Sequence, residues 1–312
     1  MLEVPVIVRM GGIAAGLAAP LAVLLSLGCD TTRLAANSTA GVFERAAPAV
    51  EGYWDYRTAG DAMPANLMQL EGLARVVPEN DAILMQLIKV YVAYAYGWIE
   101  DRAEDLQLAG DLEAAELEKV RARQMYLRAR DVGKHAIGLD HEGLEAALSE
   151  GLDGFEAYLA REFEDPDEAA ILFWTGYACG SYINLSLNDI TAVSDLGYAK
   201  ALVARSVELD PTYFNSAGLT FLGVAGSVEL SGDLDEARAL FERALAQTER
   251  HSLIVQVNMA RFYAVRTQDR ELYVSLLQEV LDAGNVNPQA RLNNEIAKRR
   301  AKRYLEEVGE RF

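Results

Sequence analysis

Phe221-Leu222-Gly223-Val224-Ala225-Gly226-Ser227-Val228, followed by Gly232-Asp233 and then Ala237-Arg238-Ala239-Leu240-Phe241-Glu242-Arg243-Ala244, is the stretch that decides the fold. Phe221, Val224, Ala225 and Val228 recur at helical spacing and form one apolar face. Gly232 and Asp233 supply a turn and an N-cap. Ala237, Phe241 and Ala244 put a small, a bulky and a small residue on one face of a second helix. Two such helices can nest, the ring of one seated among the small residues of both.

Outward from this hairpin the pattern returns. Leu196 to Pro211 carries Ala199, Val203 and Ser206 before the closing proline, and Ala122, Tyr126 and Ala129 repeat the small–bulky–small order. Leu70, Leu73 and Pro78 give a weaker echo. These are the spacings of tetratricopeptide repeats, in which paired helices stack because none buries its own face alone. The interval from Ala199 to Ala237 exceeds the ~34 residues of a standard repeat, so the array is degenerate. The expected fold is all-α, a helical-hairpin solenoid with degenerate repeats, a compact or curved array of about twelve helices.

The rest of the chain agrees with helices. The eight prolines sit mostly at the ends of helical runs, as at Pro64, Pro78, Pro166, Pro211 and Pro288. No stretch alternates like a half-buried strand between hairpin turns, so no sheet is expected. Two apolar runs have near-membrane length. Ala82 to Ile99 is interrupted by Gln86 and Lys89, and Ala169 to Asn188 is uncharged but broken by Thr175, Gly176, Ser181 and Asn184. Both read as buried helices of a large α domain.

The N-terminus reads as an export signal. An Ala- and Leu-rich run from Gly11 ends at Ser26-Leu27-Gly28-Cys29. Removal of residues 1–28 leaves Cys29 first, where a thiol can be lipidated and tie the protein to a membrane face. Ordinary signal cleavage and a retained N-terminal helix are the alternatives. A tether over 29–38 then leads to a single domain over 39–312. The periplasmic side of a bacterial envelope is the expected location, with inner and outer membrane left open. Membrane attachment is expected through the lipid alone.

The net charge of −18 argues against nucleic acid as a partner. Of two cysteines, Cys179 lies in an apolar run and reads as a buried, inert thiol. His135, His141 and His251 lack metal-ligand spacing, and no nucleophile elbow or phosphate-cradling loop is present. No enzyme, metal or cofactor is expected.

Aromatic and amide side chains inside helices are the distinctive feature. Trp174, Tyr177, Ser181 and Asn184 share one helix face. Tyr213 and Phe214 follow Pro211, and Tyr263 and Arg266 close another helix. Most such stripes are core. The functional reading is a pocket with apolar walls and a few polar anchors, Asn184, Arg266 and Asn294 among them. A basic run also stands out in this acidic chain. Arg291, Lys298, Arg299 and Arg300 are candidates for docking a partner, against the plainer reading of a solvated face.

Several segments together resemble the TRAP transporter T-component family. They are Pro64-Ala65-Asn66-Leu67, Phe173-Trp174-Thr175-Gly176, Ile183-Asn184-Leu185, Tyr213-Phe214-Asn215, Thr267-Gln268-Asp269-Arg270-Glu271-Leu272 and Arg291-Leu292 with Asn294. The resemblance implies an extracytoplasmic lipoprotein, a homotrimer, an internal apolar channel, and partnership with a substrate-binding P-component that feeds a TRAP permease. A ligand in that channel would be apolar or an organic acid. The competing reading is an envelope assembly scaffold with no small-molecule ligand.

Overall fold

The computed structural model describes residues 31–312, and the described residues form helices and turns without a strand. The expected signal peptide and the lipidation site at Cys29 lie outside the described residues.

The long helices follow one another in space as they do in sequence. Helix α1 spans Thr31–Glu51 and takes in residues 31–38 of the expected tether. Helix α2 spans Tyr56–Val76, capped by Asp55, whose side chain accepts from the amides of Arg57 and Thr58. Helix α3, Asp81–Leu108, passes through a π-helical turn at Ala95–Glu100. It is long and apolar enough to cross a membrane, yet Ile83, Leu84, Leu87 and Ile88 are buried in the protein core. Helix α4 covers Leu112–Asp140, with short helices α5 (Leu144–Ser149) and α6 (Leu152–Glu162) after it. The uncharged helix α7 is Ala169–Asn184, followed by the five-residue α8, Ile190–Ser194. Then come α9 (Leu196–Leu209), α10 (Tyr213–Val228) and α11 (Leu234–Gln247). Helix α12, Leu253–Asn258, runs on into a second π-helical turn, Met259–Ala264. Helices α13 (Arg270–Asp282), α14 (Arg291–Glu306) and the short α15 (Val308–Arg311) end the chain.

The repeat positions are core in all three places. Ala122, Tyr126 and Ala129, then Ala199, Val203 and Ser206, then Ala237, Phe241 and Ala244 are each no more than 1% exposed. Ser206 is tolerated there because its hydroxyl donates to the Ala169 carbonyl at 2.7 Å. In the α10–α11 hairpin a Cβ on Gly223 would stand 3.0 Å from the Phe241 ring, so the glycine is what lets the ring enter.

Packing runs α2 on α3, α3 on α4, α4 on α7, α7 on α9, α9 on α10 and α10 on α11. Helix α12 packs against α10 and against α14. Helix α14 then returns to α1 and α2, and its Ile296 fills the space over Gly97 of α3. The run of packed helices is therefore closed on itself around an interior.

Candidate functional site

The interior holds a cavity of about 210 Å³. Its apolar wall comes from α7, α10 and the π-helical turn after α12: Phe173, Trp174, Tyr177, Phe214, Phe221 and Phe262. The rings are set by mutual edge contacts, with Trp174 and Phe214 centroids 4.7 Å apart and Phe173 and Trp174 5.0 Å apart. Small residues make the room: a Cβ on Gly180 would strike the Phe221 ring. Leu187 and Val228 line the cavity and are themselves 65% and 45% exposed, so it opens to solvent between the loop after α7 and the end of α10.

One turn of the wall is strained. Phe214, Asn215 and Ser216 all adopt left-handed backbone, at φ 47°, 56° and 57°. Each costs on the order of 1–2 kcal/mol for a residue with a Cβ. The turn is held by Ser216 Oγ donating to Gln247 Oε1 at 2.8 Å, and it directs Phe214 onto Trp174.

The opposite end is charged. Both π-helical turns meet here and deliver Tyr96 and Glu100 from α3 and Arg261 from the α12 extension, while α14 delivers Arg300. A π-helical turn shifts the register of the residues after it, and such turns gather at functional sites. Arg261 Nη1 donates to Glu104 Oε1 at 2.7 Å, and Arg303 Nη2 lies 3.0 Å from Glu104 Oε2. Burial works against ionisation of Glu104, but Arg261, Arg300 and Arg303 outweigh it and hold the carboxyl down at about 2. Glu100 has the opposite fate: burial pushes its carboxyl above the usual range, against the pull of Arg300, and it accepts from the Tyr126 hydroxyl. Arg303 also binds Asp101 and Asp105, so α14 is fastened to α3 through buried charge.

A family model for the TRAP transporter T-component matches residues 53–312. The chain belongs to the TRAP transporter T-component family. It is thus an accessory component of a TRAP transport system, in a family of transport accessories not known as enzymes, with an envelope location. Among curated proteins none matches it.

In this T-component the sequence-derived candidates separate into three groups. Trp174, Tyr177, Ser181, Asn184 and Phe214 line the cavity. Tyr213 stands behind the wall, accepting from Trp174 Nε1 at 2.9 Å. The others lie elsewhere. Tyr263 is buried against Phe241 in the core of α10 to α14. Arg266 is exposed and, among the described residues, reaches the Leu230 carbonyl at 3.5 Å. Asn294 is a structural cap: its Oδ1 accepts from the Leu253 amide and its Nδ2 donates to the His251 carbonyl, both at 3.0 Å.

The basic run does not present one outer face. Arg300 is 1% exposed and turned to the cavity, which removes it from any docking surface. Arg299 bends onto Asp101 and stacks over Tyr56. Lys298 donates to the Gly284 carbonyl at 3.3 Å, and the Nε of Arg291 is buried. Cys179 keeps its thiol protonated, burial pushing it up to about 12.

Tyr96, Glu100 and Arg261 were not singled out from sequence. Glu100 ends an apolar run and Arg261 interrupts Met259-Ala260 and Phe262-Tyr263, and a charge in such a setting is the available signal. Their convergence needs the two π-helical turns, which leave no residue pattern.

Proposed function

We propose that this T-component is an extracytoplasmic lipoprotein that binds a substrate-binding P-component and shelters an apolar or organic-acid ligand in its internal cavity. The observation that supports the ligand is the open, aromatic-walled space with a polar far end, the usual form of a small-molecule site. An assembly scaffold without a ligand would be expected to fill that space with its own side chains.

The P-component would seat at the mouth. Leu187 and Val228 flank it, and Ile190 and Leu230, which follow them in sequence, are 87% and 94% exposed. Exposed apolar side chains of this kind mark interaction surfaces. Cys29 would carry the lipid that holds the protein at the periplasmic face of a membrane, and the protein would assemble as a homotrimer.

The test is titration of purified P-component into this chain, with native mass spectrometry on the complex. Saturable binding that Leu230→Asp and Ile190→Asp weaken together supports the reading, and no binding by the wild type overturns the partnership. Light scattering of the same sample reports a trimer or refutes it. Release of the protein from membranes by Cys29→Ser tests the anchor.

A further inference from the structure

Helix α1 has three faces. Ala36 and Ala40 are buried, and Phe43 packs with them against the core. Arg33, Glu44 and Glu51 recur after whole helical turns and share a second face beside the first. That face is turned to the protein. Arg33 pairs with Glu79, just before α3. Burial lowers the ammonium of Lys89 on α3, and Glu51 and Glu44 oppose that lowering. The third face is Leu34, Ala35, Ser38, Val42, Ala46 and Val50, all exposed. Leu34 and Val42 are each 64% exposed. Of the four charged residues of α1, Arg45 alone falls on this side.

A helix packed on a soluble domain turns its charges outward and its apolar stripe inward. On α1 most of the charge is turned toward the protein, and the outward face is apolar and small. Tyr53 and Trp54 follow at its far end with ring centroids 6.2 Å apart, and Trp54 is 61% exposed. Tyr and Trp are the side chains favoured where water meets lipid.

The place of α1 in the chain says what covers this face. Cys29 stands two residues before Thr31, and two residues span at most about 7 Å. A lipid on Cys29 would therefore hold the first turn of α1 against the bilayer. Standing upright, the helix would bring Leu34 to the lipid and leave Val42, Val50 and Trp54 in water. Lying flat, it covers all of them along about 30 Å of helix. The net charge of −18 rules out general attraction to anionic lipid, so the contact is apolar.

Building on the lipid at Cys29, we propose that the outer face of α1, from Leu34 to Val50, lies in the headgroup boundary of the bilayer, with Tyr53 and Trp54 seated at its far end. The face is too small to hold the chain to a membrane by itself. The anchor raises its effective concentration at the bilayer, so a weak affinity is enough. Arg45 can reach the phosphates from this position while its stem stays among the apolar side chains. The membrane contact then fixes how the whole domain is oriented, which a lipid alone would leave free.

The test uses the lipidated full-length product isolated from membranes and reconstituted into phosphatidylcholine vesicles with brominated acyl chains, which quench tryptophan at the bilayer. Comparison with Trp54→Phe isolates Trp54 from Trp98 and Trp174. Trp54 should lose most of its emission in brominated vesicles and keep it in ordinary ones, and the loss should persist at high salt. Val42→Glu should restore the emission with the melting temperature unchanged, because Val42 is exposed. A lipidated chain whose Trp54 is quenched no more by brominated than by ordinary lipid would overturn the bilayer contact and leave the anchor standing. A chain mass showing no lipid on Cys29 would overturn the anchor, and this inference with it. If Val42→Glu splits an assembled chain into monomers and leaves the quenching as it was, a second copy covers the face and the inference falls.

Discussion

Trp174 of α7 donates its indole N–H to the hydroxyl of Tyr213, 2.9 Å away, just before the left-handed turn that opens α10. The bond joins the helix that walls the cavity to the turn that positions Phe214. Trp174 is thus both core, at 5% exposure, and cavity lining. Trp174→Phe should cost about 1 kcal/mol for the lost bond, with a modest fall in melting temperature. Trp174→Ala should cost about 3–5 kcal/mol because the ring site is emptied. A melting curve unchanged in the alanine variant would show that the ring packs against nothing essential.

Phe241 and Gly223 test the hairpin. Phe241→Ala should destabilise by about 3–5 kcal/mol, since the ring is fully buried between α10 and α11. Gly223→Ala places a methyl 3.0 Å from that ring and should cost about 1–3 kcal/mol through overpacking. Denaturant titration measures both. In the double variant the costs should be less than additive, because the smaller residue at 241 makes room for the methyl.

Acid stability should divide between Glu104 and Glu100. Glu104 is held down at about 2 from an ordinary 4.5, so its stabilisation is fully present above that ordinary value and is lost as pH falls toward 2. Glu104→Gln should lower the melting temperature at neutral pH and flatten the acid limb below pH 4.5. Glu100 is raised, so its ionisable carboxyl costs stability at neutral pH and that cost fades on acidification. Glu100→Gln should raise the melting temperature at neutral pH, with the gain disappearing as pH falls. Shifts of the same sign in the two variants would contradict the opposed environments.

Asn184 lines the cavity, half-buried, and its side chain makes no hydrogen bond among the described residues. Asn184→Leu leaves no protein partner orphaned and should keep the melting temperature within about 1 kcal/mol of the wild type. If the amide faces the ligand, binding should fall in this folded variant. Wild-type ligand binding in Asn184→Leu would remove Asn184 from the site.

The sequence by itself determined the helices and one face of α7 that lines the cavity. Ala237, Phe241 and Ala244 announce a nested helix because spacing along a helix is spacing on its face. Trp174, Tyr177, Ser181 and Asn184 were legible as one stripe for the same reason. What only the tertiary structure decided was which ends meet. Arg300 reads as part of a basic run, and nothing near it in sequence shows that α14 closes on α3 and buries it against Tyr96. Asn294 looks like a polar anchor until its bonds to Leu253 and His251 make it a cap. The left-handed backbone at Phe214 to Ser216 and the π-helical turns at Ala95–Glu100 and Met259–Ala264 run against local preference and exist because packing outweighs it. Periodicity is a property of neighbours along the chain. The polar end of the cavity brings together Tyr96 and Arg300, whose meeting is fixed by closure of the whole array and is written in no local pattern.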